Sequence, residues 1–159
     1  MDALADSLEL IRARLNAALQ AAEQRADDWV VLSSGQPAAA VEDARDTIAM
    51  VLVHIASDAA VRTVADRAAP PSARLDLLVA FVANFENARY AQGLTAISRV
   101  ISFFQQTPVF TLSGPGAHIG PLTMQIAGLS LADVGSVMQM LGISYRPSVF
   151  YRLRGVSVE

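Results

Sequence analysis

The chain has 159 residues, which fits one domain, and it combines 53% hydrophobic residues with only 17% charged residues at a formal net charge of −3. It contains no cysteine, which excludes disulfide bonds and thiolate metal sites. All 12 basic residues are arginine, and the net negative charge disfavours nucleic acid as a partner. No apolar run of about 18 residues occurs, and the first six residues carry two acids and no base; we therefore expect no membrane insertion, no secretory signal, and synthesis in the cytoplasm.

The apolar excess has two open explanations. Soluble domains average about 45–50% apolar and about 25% charged residues. A larger core could hold the surplus, although much of it is alanine, which fills little volume. Subunit interfaces are the other outlet, because obligate interfaces are more apolar than ordinary protein surface.

A helix and a short strand open the chain. Apolar residues recur at helical spacing over residues 3–25, which predicts an amphipathic helix with Asp2 as its N-cap. The apolar stripe consists of Leu4, Leu8, Ile11, Leu15, Leu19 and Ala22. Residues 29–33 (WVVLS) predict a strand, and the stretch 34–45 predicts a connecting loop.

Two longer strands follow. Residues 47–55 (TIAMVLVHI) are apolar on both faces, which predicts a central strand covered on both sides. The polar stretch 57–73 contains two prolines and predicts a long exposed loop. Residues 74–83 (RLDLLVAFVA) predict the next strand.

The second half of the chain begins with a predicted helix over residues 87–106. Its stripe is formed by Tyr90, Leu94, Ile97, Ile101 and Phe104, widened by Val100 and Phe103. Pro108 ends the helix, and residues 109–112 predict a short strand. Three glycines and two prolines within residues 113–121 predict a loop.

The last predicted elements are a strand, a capped helix and a final strand. Residues 122–127 predict the first strand. Ser130 and Asp133 have the spacing of a capping box and open a helix over 131–141, with Gly142 just past its end. The closing strand begins at about Ser148. The resulting order, α β β β α β β α β, predicts an α+β fold in which a mixed β-sheet is flanked by about three α-helices, within one domain spanning residues 1–159.

The residue types that carry chemistry are sparse. His54 lies inside an apolar strand and is interpreted as a structural histidine satisfied by hydrogen bonds. His118 has no carboxylate within ten residues on either side, so nothing local suggests a metal site. A phosphate-binding loop and a nucleophile elbow are both absent from the sequence. We therefore expect no enzymatic activity, no cofactor and no metal.

The C-terminal segment carries the most distinctive pattern. Arg146, Arg152 and Arg154 fall within the last fourteen residues and are interleaved with aromatic side chains. In a strand, Arg152 and Arg154 would share one face, and Tyr151 and Leu153 the other. The arginines could serve a protein interface, or they could defend an ordinary edge strand by charge. Together with Ser113, Gly114 and His118 of the Gly/Pro loop, these three arginines are our candidate interface residues.

Three segments, in this order and spacing, resemble one known family. The first is WVVLSSG followed by TIAMVLVHIAS, and the second is the long stretch PPSARLDLLVAFVANFENARYAQGLTAISRVISFFQQTPVFT. The third, LTMQIAGLSLADVGSVMQMLGISYRPSVFYRLR, ends in the specific wording SYRPSVFYRLR. The chain is similar over roughly residues 3–156 to the tube- and sheath-terminator family of extracellular contractile injection systems, of the Photorhabdus virulence cassette and antifeeding prophage type.

This resemblance implies a phage tail-terminator-like fold and a cap role. Members of the family are expected to form a six-subunit ring that stops polymerisation of the inner tube and anchors the last sheath layer. The implied partners are further copies of the chain and the tube and sheath proteins, with no nucleic acid and no membrane insertion. The implied place of work is a phage tail-like particle that is assembled in the cytoplasm and can be released.

Two other functions stay open at this level. A baseplate or adaptor subunit of the same machinery would differ from a terminator by its location in the particle. A small-molecule-binding regulatory domain would instead be a monomer with a deep pocket that a ligand stabilises.

Overall fold

The structure is a computed structural model, and it describes residues 3–35, 46–58, 73–111 and 120–158. In chain order these residues form helix α1 (Ala3–Glu23), strands β1 (Val30–Ser33), β2 (Thr47–Ser57) and β3 (Ala73–Asn84), helix α2 (Tyr90–Gln106), strands β4 (Val109–Phe110) and β5 (Leu122–Ile126), helix α3 (Leu131–Leu141) and strand β6 (Ser148–Val158). The order of helices and strands is the predicted one, and the α+β fold class is confirmed. The proposed N-cap Asp2 and most of the loops expected at 34–45, 57–73 and 113–121 lie outside the described residues.

The strands form a six-stranded mixed sheet within the described ranges. Their order is β1-β2-β3-β6-β5-β4, and only the β1–β2 pair is parallel. The middle of the sheet is therefore formed by β3 and by β6, the last strand of the chain. Among the described helices, none combines the length and the apolar character needed to cross a membrane.

The prediction that β2 is a central strand covered on both sides is only half right. β2 lies one position in from the edge strand β1, and its residues up to Val51 are buried. Because β1 pairs with β2 only as far as Val51, the second half of β2 has no β1 partner, and His54 and Ile55 are exposed there. His54 therefore lies on the exposed half of this apolar strand, and its interpretation as a structural histidine stays a prediction.

The first face of the sheet carries α1 and α2. The predicted stripe of α1 is buried at Leu8, Ile11, Leu15 and Leu19, and it packs on the core side chains of the strands. These four leucine and isoleucine side chains recur every three or four residues, so the helix buries one continuous face. Ala22, which the pattern included, is exposed near the end of the helix.

The buried face of α2 is rotated relative to the predicted stripe. Gly93, Ala96 and Val100 are buried, whereas Tyr90 and Leu94 are exposed. A methyl group built on Gly93 would lie only 3.2 Å from the side chain of Phe85, so the small residues form the side through which the helix approaches the domain. That close approach leaves the larger Tyr90 and Leu94 at the margin of the contact.

Aromatic rings fill the core under α2. Phe81 of β3 lies 5.4 Å from Phe104 and 5.8 Å from Tyr151 of β6, measured between ring centroids, and Phe104 lies 4.8 Å from Tyr151. These separations are in the range in which tilted and edge-to-face ring pairs are favourable. Burial raises the pKa of the Tyr151 hydroxyl, because its ionised form would lose hydration in this core.

The second face of the sheet carries α3. The predicted capping box is confirmed: the Asp133 N–H donates to the Ser130 hydroxyl oxygen, and the Ser130 N–H donates to the Asp133 carboxylate. Gly142 ends the helix in the left-handed conformation, at φ 65°. Only Met138 of α3 is fully buried, and it packs in a smaller cluster with residues such as Val51 and Val82.

Candidate functional site

The candidate interface residues divide into two groups. Ser113, Gly114 and His118 lie outside the described residues. The three arginines of the C-terminal segment are described, and they fall in two separate places on the second face of the sheet.

Arg152 and Arg154 lie on the outward-facing side of β6. Tyr151 and Leu153, which alternate with them, are buried in the core on the first face. The side chains of Arg152 and Arg154 are 49% and 53% exposed. The two-residue period of the strand predicts this division correctly.

One carboxylate holds both guanidinium groups. Oδ2 of Asp76 lies 3.4 Å from Nη1 of Arg152 and 3.4 Å from Nε of Arg154. The Asp76 side chain is only 15% exposed, much less than either arginine. We call Arg152, Arg154 and Asp76 the arginine strip, whose single negative charge is enclosed and whose two positive charges face outward.

A bulge in β6 sets the register of the strip. Leu75 of β3 pairs with Val156, but Asp76 pairs with Arg154, so Gly155 is an extra residue in β6. In a regular ladder that continued from the Leu75–Val156 pair, Asp76 would pair with Gly155 and not with Arg154. Gly155 has φ 97°, and a side chain there would collide with the carbonyl oxygen of Pro121. Glycine is therefore required at this bulge, and it brings Arg154 opposite Asp76.

Arg146 does not belong to the strip. Its guanidinium donates to the Asn84 side-chain oxygen, and it lines an open groove of about 200 Å³ with Val51 and Val82. Asn84 lies eight residues beyond Asp76 in β3, roughly 26 Å away at about 3.3 Å per residue. The three arginines are close in the sequence, but Arg146 precedes β6 and Arg152 and Arg154 lie further along it. The extended strand therefore separates them in space.

Sequence reasoning missed an apolar surface around α3. Leu131, in the first turn of the helix, is 86% exposed, and Tyr145, just after the helix, is 71% exposed. Met140 is also exposed. The signal was available in the sequence LADVGSVMQML, because a helix with one charged residue in eleven is unusually apolar for a helix that lies on a surface.

The arrangement suits contact with another protein. Within the described ranges, no three His, Asp or Glu side chains lie close enough together to hold a metal ion. What the second face offers is a pair of outward guanidiniums at one end of β3 and β6, an apolar helix across the middle, and a shallow groove with one arginine at the other end. Arginine and exposed aromatic or apolar side chains are the types enriched where proteins bind one another.

Comparison with known proteins finds one matching family model and a solved structure of similar fold. The family model described as the Pvc16 N-terminal domain matches residues 8–159. Among solved structures, the chain is similar to the sheath/tube terminator of PVC, an extracellular contractile injection system, determined by cryo-EM in the extended state. The TM-score is 0.58 at 18% identity, and the match covers 91% of this chain and 56% of that chain. The chain thus spans little more than half the length of that terminator. No curated protein matches the chain.

Proposed function

The chain belongs to the Pvc16 N-terminal domain family, and we propose that it is a structural cap subunit of a phage tail-like contractile injection system. In this role it ends the polymerisation of the inner tube and anchors the last layer of the sheath. Its partners are the tube and sheath proteins and further copies of itself. The work is done by surfaces, not by a catalytic site.

The observation that carries the proposal is the agreement between family and fold. The family model matches nearly the whole chain, and the six-stranded sheet with helices on both faces is similar to a structure whose name is a sheath/tube terminator. The exposed apolar residues of α3 and the arginine strip support an assembly role independently, because they provide binding surface that a free-standing monomer does not need.

We further propose that six copies form a closed ring, each contributing one domain of residues 1–159. A closed ring needs two different patches on each subunit, one for each neighbour. The surface that remains along the ring axis is then available to the tube and the sheath. Synthesis and assembly take place in the cytoplasm, and the finished particle can leave the cell.

Deleting the gene for this chain tests the proposal. We expect particles whose length is no longer controlled and whose sheath is poorly joined at one end, because nothing stops the tube or holds the last sheath layer. Electron microscopy of particles from the deletion strain measures both properties, and restoring the gene is the control. Particles of normal length that contract normally would refute the cap role, and loss of all tubes would indicate a baseplate subunit instead.

A further inference from the structure

The arginine strip has a counterpart of opposite charge on the same chain. α1 ends at Glu23 with no basic residue in its last turn. Two exposed acidic residues, Asp27 and Asp28, lie four and five positions further along the chain. The carbonyl end of a helix carries a partial negative charge, which adds to that of the carboxylates. We call Asp27 and Asp28 the acidic corner.

A cation that lies next to the acidic corner in the sequence is turned inward. Arg25 is half-buried, and its guanidinium carbon lies 4.4 Å from the centre of the Trp29 ring. The same guanidinium donates to the main-chain carbonyls of Asp46, at 2.9 Å, and Asp28, at 3.3 Å. The corner therefore presents the Asp27 carboxylate outward beside Asp28, one oxygen of which accepts from the Asn16 amide, and it holds Arg25 underneath. The strip has the reverse arrangement, with its two cations outward and its carboxylate underneath.

The two patches lie at opposite ends and on opposite faces of the domain. The corner follows α1 on the first face, beside the residues where β2 begins, and Thr47 of β2 pairs with Asn84 at the end of β3. The strip lies on the second face near the beginning of β3, at Asp76. Roughly 26 Å of β3 separates Asn84 from Asp76. The patches therefore cannot meet within one chain.

We propose that the acidic corner of one copy docks on the arginine strip of the next copy. Two complementary patches on opposite sides of a subunit make a head-to-tail contact, which closes into a ring when the rotation per subunit allows it. A two-fold contact centred on either patch would instead bring that patch against its own copy and place like charges together. The inference rests on the ring proposed above, and it names the two surfaces that join neighbouring subunits.

Charge reversal on each side tests the contact in the purified chain. The strip variant is Arg152→Glu/Arg154→Glu with Asp76→Asn, which relieves repulsion beneath the new carboxylates. The corner variant is Asp27→Arg with Asp28→Asn, which keeps an oxygen for the hydrogen bond that Asp28 accepts from Asn16. Each variant alone should self-associate at least roughly ten-fold more weakly than the wild type in sedimentation experiments, and an equal mixture of the two should recover association.

The control variant is Arg14→Glu, which reverses an exposed charge on α1 that belongs to neither patch and should associate like the wild type. Circular dichroism melts establish that each variant is folded. If a reversal variant does not fold, the neutral variants Arg152→Gln/Arg154→Gln and Asp27→Asn replace it, with weaker association again expected. A wild type that stays monomeric at about 100 µM, folded variants that associate normally, or a mixture that does not recover would each overturn the contact.

Engineered cysteines test the geometry directly, since the chain has no cysteine of its own. A chain with both Asp27→Cys and Arg152→Cys should form disulfide-linked ladders under mild oxidation, because each position meets the other on a neighbouring copy. Either single variant should stay unlinked. Linked dimers from a single variant would indicate a two-fold contact, and no linkage in the double variant would exclude the proposed one. Neither result bears on particle length, so a failure here is distinguishable from a failure of the cap role.

Discussion

Asn16 is the buried polar residue that joins α1 to the edge strand β1. Its side-chain oxygen accepts the N–H groups of Trp29, at 2.7 Å, and Val30, at 3.2 Å, and its amide donates to Asp28 at 2.9 Å. Buried backbone N–H groups need a partner, and in a globular domain they nearly always have one. Asn16 thus fixes the start of β1 and the position of the acidic corner at once.

Replacing Asn16 by Leu should destabilise the domain by about 2–4 kcal/mol, because two buried N–H groups lose their acceptor. The measurement is the free energy of unfolding in urea. Gln20→Leu is the matched control on the same helix: its side chain donates to exposed carbonyls, which water can hydrate instead, so a loss of at most about 1 kcal/mol is expected. Equal losses for the two variants would show that Asn16 has no special structural role.

At the scale of single residues, the sequence predicts what the local period governs. The alternation of Arg152 and Arg154 with Tyr151 and Leu153 follows from the geometry of one strand, and it is found. The sharing of Asp76 by two arginines depends on strand neighbours and on a bulge, which no local pattern reveals. The exposure of His54 was not foreseen, because the sequence does not show where β1 stops pairing with β2.

Among the elements, α3 is the helix held by the fewest buried side chains. Gly135 lies on its exposed side, and a methyl group added there would meet no atom within 4 Å. Gly135→Ala should therefore raise the free energy of unfolding by about 0.5–1 kcal/mol, since alanine loses less backbone entropy in a helix than glycine. Thermal melts of the purified chain measure the change.

The contrasting variant is Gly155→Ala at the bulge of β6. Its positive φ and the nearby carbonyl of Pro121 oppose any side chain, so this change should lower the free energy of unfolding by more than about 1 kcal/mol. A Gly135→Ala chain that melts below the wild type would contradict the description of α3 as an exposed helix with space around it.

At the scale of elements, boundaries and types are predicted well, and orientation less well. The capping box at Ser130 and the glycine after α3 fix that helix from local chemistry alone. The rotation of α2 was missed because the pattern weighs large apolar residues, whereas the structure brings Gly93 and Ala96 closest to the domain. Small residues permit a close approach, but they give no hydrophobic signal in the sequence.

For the whole molecule, strand order is the property that sequence reasoning could not supply. β6 is last in the chain yet lies between β3 and β5, and this position puts Arg152 and Arg154 beside Asp76. The family resemblance pointed to the fold as a unit, and the family match supports that assignment. Only the arrangement of the strands shows that the acidic corner and the arginine strip lie at opposite ends of the domain.

Salt should affect the ring much more than the fold if the opposed charges join the subunits. The range of electrostatic attraction between exposed groups falls from about 10 Å at 0.1 M salt to about 3 Å at 1 M. The stability of the apolar core on the first face comes from burial and not from electrostatic attraction between exposed groups. The chain should therefore dissociate at high salt while its melting temperature falls little.

The proposed cap role is tested most directly by locating this chain in the particle. Purified particles are labelled with a gold-conjugated antibody raised against the chain and imaged by electron microscopy. A cap subunit should be labelled at a single end, the one distal to the baseplate, on nearly every intact particle. Label at the baseplate, label distributed along the sheath, or intact particles without label would contradict it.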